Sequence, residues 1–480
     1  MNLWRIKPVD QLFQESSREK LPKAMGPLDL VALGVGAVIG TGIFVLTGVA
    51  AAEYAGPGVT ISFILSGIGA GLAALVYAEL ASMVPVAGSA YTFAYASLGE
   101  MVAWVIGWNL ILEYLVAAGA VAIGWSSYLS DLLRSAGIVL PRALTAGPLG
   151  GGVINLPAVL IVALLTTLTI TGTRHSAEVN RVIVAIKIAV ILLFLVLGFS
   201  HVNAANWRPF TPFGLIGVAH GAAIIFFAYV GFDAVATAAE EVRDPRRDLP
   251  LGIIGTILIA TVLYVAVALA LTGMVHYSTL NNPSPVATAL LSLGIRWASG
   301  VVSLGALAGL TSVLLVDIYA QSRIFFAMAR DGLLPTAFHR LHPRYQTPHV
   351  ALGVVGGAIA LIGGFLPIDI VAQLANIGTL TAFIIVSIGV LVLRKTRPDL
   401  KRPFRVPGYP YIPILAAAFS AYLASNLPPL TWVRFVVWMA IGLIVYFSYG
   451  ATHSQLAQEP FPLAGLPKLA RKPWLKRRKP

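Results

Sequence analysis

Long apolar runs separated by short polar stretches organise this chain. About twelve of them predict membrane-spanning helices, at roughly 28–54, 58–84, 99–131, 156–172, 179–199, 214–239, 251–274, 298–328, 350–366, 368–393, 412–427 and 432–450. Two runs are interrupted by glycine at matching places in the two halves. GVGAVIGTGIF occupies residues 34–44 and FFAYVGFD residues 226–233. Hydrocarbon offers no water to an interrupted backbone, so such a break must line a protected polar cavity. A matched pair of breaks points to the substrate site of a secondary transporter.

The pattern predicts one all-α integral membrane domain. A tail at 1–27 precedes a five-span unit at 28–200 and a second at 201–393. Two further spans follow at 394–450, then a basic tail at 451–480. Each unit opens with its broken segment. Residues 1–27 are polar and charged, so no cleavable signal peptide is expected. Pro85 and Gly88 should end the second span.

Composition supports this picture. The chain is 58% hydrophobic and only 11% charged. The net charge of +13 raises the question of nucleic acid, but its placement answers it. With the N-terminus in the cytoplasm, 26 of the 33 lysines and arginines fall in the two tails and the cytoplasmic loops. That is the positive-inside bias of a multi-pass protein, and no nucleic-acid partner is expected. The C-terminal KLARKPWLKRRKP is suited to anionic headgroups or to a solvated flank. Cysteine is absent, so disulfide and thiol chemistry are excluded. No metal site is expected, because His339 and His342 lack a partner set. No phosphate-binding GxxxxGK[ST] loop or hydrolase serine motif is present, so the chain does not read as an enzyme.

The first break carries the chemistry of an amino-acid detector. If the helix unwinds near Ile39, the amides of Thr41, Gly42 and Ile43 begin a new half-helix, which attracts a carboxylate. Carbonyls left free near Val38 and Ile39 can accept from an ammonium. At the second break, carbonyls of Phe227, Ala228 and Val230 would face the same ammonium. Gly231 is the point of rupture, and Phe227 is suited to an aromatic lid. The competing reading, close helix packing by small residues, is weakened by the pairing of the breaks.

Ionisable groups inside spans are functional candidates because they are costly there. Lys187 lies mid-span, and desolvation disfavours the charged form of an amine. It can release a proton, or hold the place of a coupling Na⁺. Glu113 and Asp233 can contact a cationic side chain or relay a proton, with structural pairing as the alternative. Asp317 reads more as a structural partner.

These stretches, with YAELASMVPVAGSAYTFAY at 75–95 and IFFAMARDGLLP at 324–335, resemble the amino acid–polyamine–organocation superfamily. Within it the chain is similar to the bacterial branch related to cationic amino acid transporters. The resemblance covers roughly residues 25–450. It implies the leucine-transporter fold: twelve transmembrane helices, a 5+5 inverted repeat with helices 1 and 6 broken, and two extra C-terminal helices. It implies alternating access, with Val38, Ile39, Thr41, Gly42, Ile43 and Phe227, Ala228, Val230, Gly231 binding the substrate's α-groups. Lys187 matches the lysine that replaces a second Na⁺ in proton-coupled relatives, with Thr311 and Ser312 as neighbours. The expected function is H⁺-coupled, Na⁺-independent import of L-amino acids, cationic or small neutral, across a bacterial cell membrane with both termini cytoplasmic. No cofactor is expected beyond the coupling proton. The alternatives are an exchanger or uniporter of the same fold, or a membrane receptor that binds an amino acid without turnover.

Overall fold

The computed structural model describes residues 5–7, 25–84, 89–171, 177–239, 242–282 and 284–458. Pro85 and Gly88 therefore lie outside the described residues, as do most of both tails. The described residues are helical throughout, joined by short loops. The main helices are α1 (Pro27–Val38), α2 (Val59–Met83), α3 (Ser89–Ser97), α4 (Glu100–Ser135), α5 (Leu156–Ile170), α6 (Ala177–Ser200) and α7 (Gly214–Ile225). They continue with α8 (Pro245–Met274), α9 (Pro285–Ser292), α10 (Arg296–Arg330), α11 (His349–Phe365), α12 (Ile368–Thr396), α13 (Tyr411–Ser425) and α14 (Pro429–Val445).

Eight helical stretches are long and apolar enough to cross a membrane, and four shorter apolar helices, α1, α5, α11 and α13, accompany them. Two of their starts carry a side-chain cap. Asn155 accepts from the Ala158 amide ahead of α5, and Asp244 accepts from the Arg246 amide ahead of α8. Each cap is followed by a proline in the first turn, where a missing N–H costs nothing.

α4 is the most enclosed of the long helices and packs along α10 and α12. α8 packs along α2 and α1. α14 is the least enclosed and presents Val433, Val436, Val437, Ile441 and Ile444 outward, as a lipid-facing helix does. It is fixed to α4 by a reciprocal pair: Trp108 donates its indole N–H to the Trp438 carbonyl at 2.9 Å, and Trp438 donates to Trp108 at 3.2 Å.

Polar groups tie the elements together where the interior would otherwise leave them unpaired. Ser62 and Ser66 of α2 donate to the carbonyls of Val218 and Ala222 in α7, both at 2.8 Å. Glu79 of α2 accepts two bonds from Arg394 of α12, at 2.9 and 2.5 Å, and one from the Val406 amide at 2.7 Å. The basic segment after α12 is thus folded back under α2. At the same end of α10, Lys7 donates to Asp331 at 2.9 Å while Tyr91 donates to its other oxygen at 2.6 Å.

Candidate functional site

Both interrupted segments are ruptured in the structure, and they face each other. α1 ends at Val38. Ile39 turns extended, with φ −77° and ψ 95°, and the chain re-enters a helix at Thr41. The new half-helix runs as a π turn at Gly42–Leu46, an α turn at Thr47–Ala50 and a second π turn at Ala51–Ala55. At the other break α7 tightens into a 3₁₀ turn at Phe226–Tyr229. Val230 is extended and Gly231 has φ +104°, a conformation open to glycine, before a short helix at Ala234–Thr237.

The breaks pack backbone to backbone. A Cβ on Gly42 would fall on Ala228, and Gly231 lies against Ala37. Thr41 is buried, and its hydroxyl has no hydrogen-bond partner among the described residues. The first amides of a helix have no carbonyl one turn back, so those of Thr41, Gly42 and Ile43 form its donor end. The Ile43 side chain turns the other way. With Phe44 it lines a small apolar pocket, of about 10 Å³, against Val190, Phe194 and Val267.

Four of the break carbonyls expected to be free, those of Val38, Ile39, Phe227 and Ala228, already accept hydrogen bonds. Tyr264 of α8 reaches both breaks, its hydroxyl lying 2.9 Å from the Val38 carbonyl and 2.8 Å from that of Ala228. Its single proton is shared between them. The Ile39 carbonyl accepts from Lys187 at 2.8 Å, and the Phe227 carbonyl accepts from the Val230 amide at 3.2 Å. The physical reason is the rule that exposed the breaks. Carbonyls released inside a bundle are satisfied by the nearest donors. Asn376 of α12 does the same for the end of α7, donating to Ala223 and Ile224 at 2.8 and 2.9 Å.

Lys187 is fully buried. Its ammonium bridges the Gly36 carbonyl at 2.7 Å and the Ile39 carbonyl at 2.8 Å. The expected contact with Thr311 is replaced. Thr311 donates to the Leu307 carbonyl and accepts from the Trp125 indole at 2.9 Å. A long side chain from α4 thus reaches that hydroxyl. Ser312 is buried one residue further on.

Three buried acids, Asp233, Glu113 and Asp317, are electrostatic neighbours of one another. Asp233 accepts from Ser89 at 3.3 Å and Tyr114 at 3.4 Å, while its second oxygen has no hydrogen-bond partner among the described residues. Glu113 of α4 neighbours Thr379 and Gly378 of α12. Asp317 lies on α10. Among the described residues none of the three forms an ion pair. The Tyr77 hydroxyl and both amide atoms of Asn109 are also buried nearby, with no hydrogen-bond partner among the described residues. Sequence reasoning missed Tyr264, Trp125, Tyr77 and Asn109. The available signal was a polar tip within an apolar run, whose burial is costly unless it is hydrogen-bonded and which therefore marks a tie between helices or a ligand site.

The amino acid permease family model matches residues 25–457. The chain belongs to the amino acid permease family. The methylthioribose transporter of Bacillus subtilis (strain 168) is 47% identical over 95% of this chain and 99% of its own length. The branched-chain amino acid permease BcaP of the same organism is 48% identical over 95% and 99%. The vacuolar cationic amino acid transporter 4 of Arabidopsis thaliana is 38% identical over 83% and 68%. This permease is therefore a multi-pass membrane transporter and not an enzyme.

Proposed function

We propose that this permease imports neutral aliphatic L-amino acids by H⁺-coupled, Na⁺-independent alternating access. The observation that carries the coupling is Lys187, whose ammonium occupies the carbonyls of the first break. A fixed cation at that place does what a bound Na⁺ would do, and unlike Na⁺ it can lose a proton. The proposal includes twelve spans in two inverted five-helix units, two further helices, and both termini on the cytoplasmic side of a bacterial cell membrane.

The α-carboxylate binds at the amides of Thr41, Gly42 and Ile43. The α-ammonium displaces the Tyr264 hydroxyl from the Val38 and Ala228 carbonyls, and Phe227 closes over the site. Gly124 of α4 faces Thr41 and Val45, and Val313 of α10 faces Gly40. Ala120 and Ala117 share the Gly124 face at helical spacing. These small apolar walls support an aliphatic side chain. The similarity to BcaP supports the same substrate class.

A second reading rests on the methylthioribose transporter. A thiosugar has neither α-group, and would instead use the unpartnered polar atoms of Asn109, Tyr77 and Asp233. Uptake of labelled leucine, valine and alanine into proteoliposomes separates the readings. Runs with and without a pH gradient and with internal substrate distinguish symport from exchange. Competition by arginine or methylthioribose stronger than by leucine would reassign the substrate. Binding without uptake would indicate a receptor.

A further inference from the structure

Three residues at successive turns on one face of α10 follow the first break. A Cβ at Gly309 would lie 2.8 Å from Cγ and 2.9 Å from Cδ of Lys187, so the lysine stem lies across this glycine. Val313, four residues on, packs against Gly40. Asp317 is the next member of the stripe. It is buried, and Lys187 is its electrostatic neighbour, yet the two form no ion pair here. The other titratable groups facing Asp317 are Asp233 beyond the second break and Glu113 and Tyr114 of α4. α1 carries one charged side chain, Asp29, in its first turn at the far end. Lys187 is the one cation among these groups.

We propose that Asp317 is the alternate partner of Lys187 and takes its proton during transport. This rests on the proton-coupled reading above. In the present arrangement the ammonium is held by the Gly36 and Ile39 carbonyls. When α1 swings away from α6, those acceptors withdraw. A buried ammonium without acceptors is strongly disfavoured, and the nearby carboxylate on α10 replaces them. There the N–H bond breaks as an O–H bond forms on Asp317. The ammonium–carboxylate pair becomes an amine and a carboxylic acid, with no change in net charge. The acid then loses its proton to water on the side that the movement of α1 has opened.

The test compares Asp317→Asn, Asp317→Glu and Lys187→Ala in proteoliposomes, using the labelled amino acid that the unmodified protein takes up. Equilibrium binding in detergent is measured beside it. Asp317→Asn is expected to keep binding and exchange, to lose about tenfold or more of its gradient-driven accumulation, and to show a flattened pH profile. Asp317→Glu is expected to retain coupling with a displaced pH midpoint. Accumulation by Asp317→Asn with an unchanged pH profile overturns the proposal. If Asp317→Asn fails to bind substrate, Asp317→Glu decides alone, and an unshifted midpoint overturns the proposal. Lys187→Ala separates the two layers. Coupling that survives in Lys187→Ala removes Lys187 as the coupling group and Asp317 as its acceptor, while an unmodified protein indifferent to the pH gradient removes the proton-coupled reading itself. Coupling lost in Lys187→Ala but intact in Asp317→Asn removes only the role of Asp317.

Discussion

Gly42 and Ala228 leave no room for a side chain between them: a Cβ on Gly42 would lie 2.5 Å from the Ala228 Cβ and closer still to its Cα. The contact holds the donor end of one half-helix against the other break. Substituting Gly42 with valine forces the breaks apart at the point where both substrate α-groups bind. Overpacking of this kind costs about 1–3 kcal/mol, so a loss of affinity of roughly tenfold to a hundredfold is expected. Membrane insertion should be intact, because the substitution leaves the apolar run unbroken. Substrate binding to purified Gly42→Val at unmodified affinity would contradict the contact's role.

Tyr264 is the donor that the substrate must displace. Removing its hydroxyl leaves the Val38 and Ala228 carbonyls unsatisfied when the site is empty. An unsatisfied buried acceptor costs about 1–3 kcal/mol, and a bound ammonium relieves it. Tyr264→Phe should therefore bind substrate more tightly, by roughly fivefold or more, because only the empty form is penalised. Net uptake should slow while exchange persists, since exchange bypasses the empty return step. Isothermal titration and paired uptake assays check both halves. Weaker binding would place the hydroxyl in contact with the substrate instead.

The long apolar helices and the two breaks were legible in sequence, because membrane helices are written in local composition and glycine has no local substitute at Gly231, while the short helices α3 and α9 were not. The position of Lys187 was legible for the same reason, as a charge within an apolar run. What filled the break carbonyls was not. Tyr264 acts on Ala228 across 36 positions and on Val38 across 226, and Lys187 meets Ile39 across 148. Such pairings depend on how α8 and α6 lie against α1, which no local pattern encodes. The exchange of Trp125 for Lys187 at Thr311 has the same origin: α4 passes beside α10 closely enough for an indole to arrive first.

Recognition of both α-groups gives a prediction independent of mutation. Charge-assisted hydrogen bonds are worth about 1.5–3 kcal/mol each, so losing the carboxylate should weaken binding by roughly tenfold to a hundredfold. Leucinamide and isoamylamine should compete far less well than leucine for labelled uptake. Equal competition by the amine would exclude the amides of Thr41, Gly42 and Ile43 as the carboxylate site.

The buried pair of Lys7 and Asp331 predicts a stability effect at a distance from the substrate. Removing one partner of a buried ion pair costs about 3–5 kcal/mol, while replacing both with neutral groups costs much less. Lys7→Met should lower the melting temperature in detergent, and Lys7→Met combined with Asp331→Asn should recover part of the loss. Asp331→Asn also weakens the charge-assisted bond from Tyr91, so the recovery is incomplete. A double variant less stable than Lys7→Met would show that the pair is not the source of the effect.

Lys187 is the centre of the account, and one measurement addresses it directly: uptake of labelled leucine by Lys187→Ala proteoliposomes under an imposed outside-acid gradient, with Na⁺ present or absent. The unmodified protein should accumulate leucine when the outside is acid, because protons enter with the substrate, and should be indifferent to Na⁺. Lys187→Ala should bind leucine yet fail to accumulate it at any pH gradient. Concentrative uptake by Lys187→Ala that still follows the gradient would contradict the account.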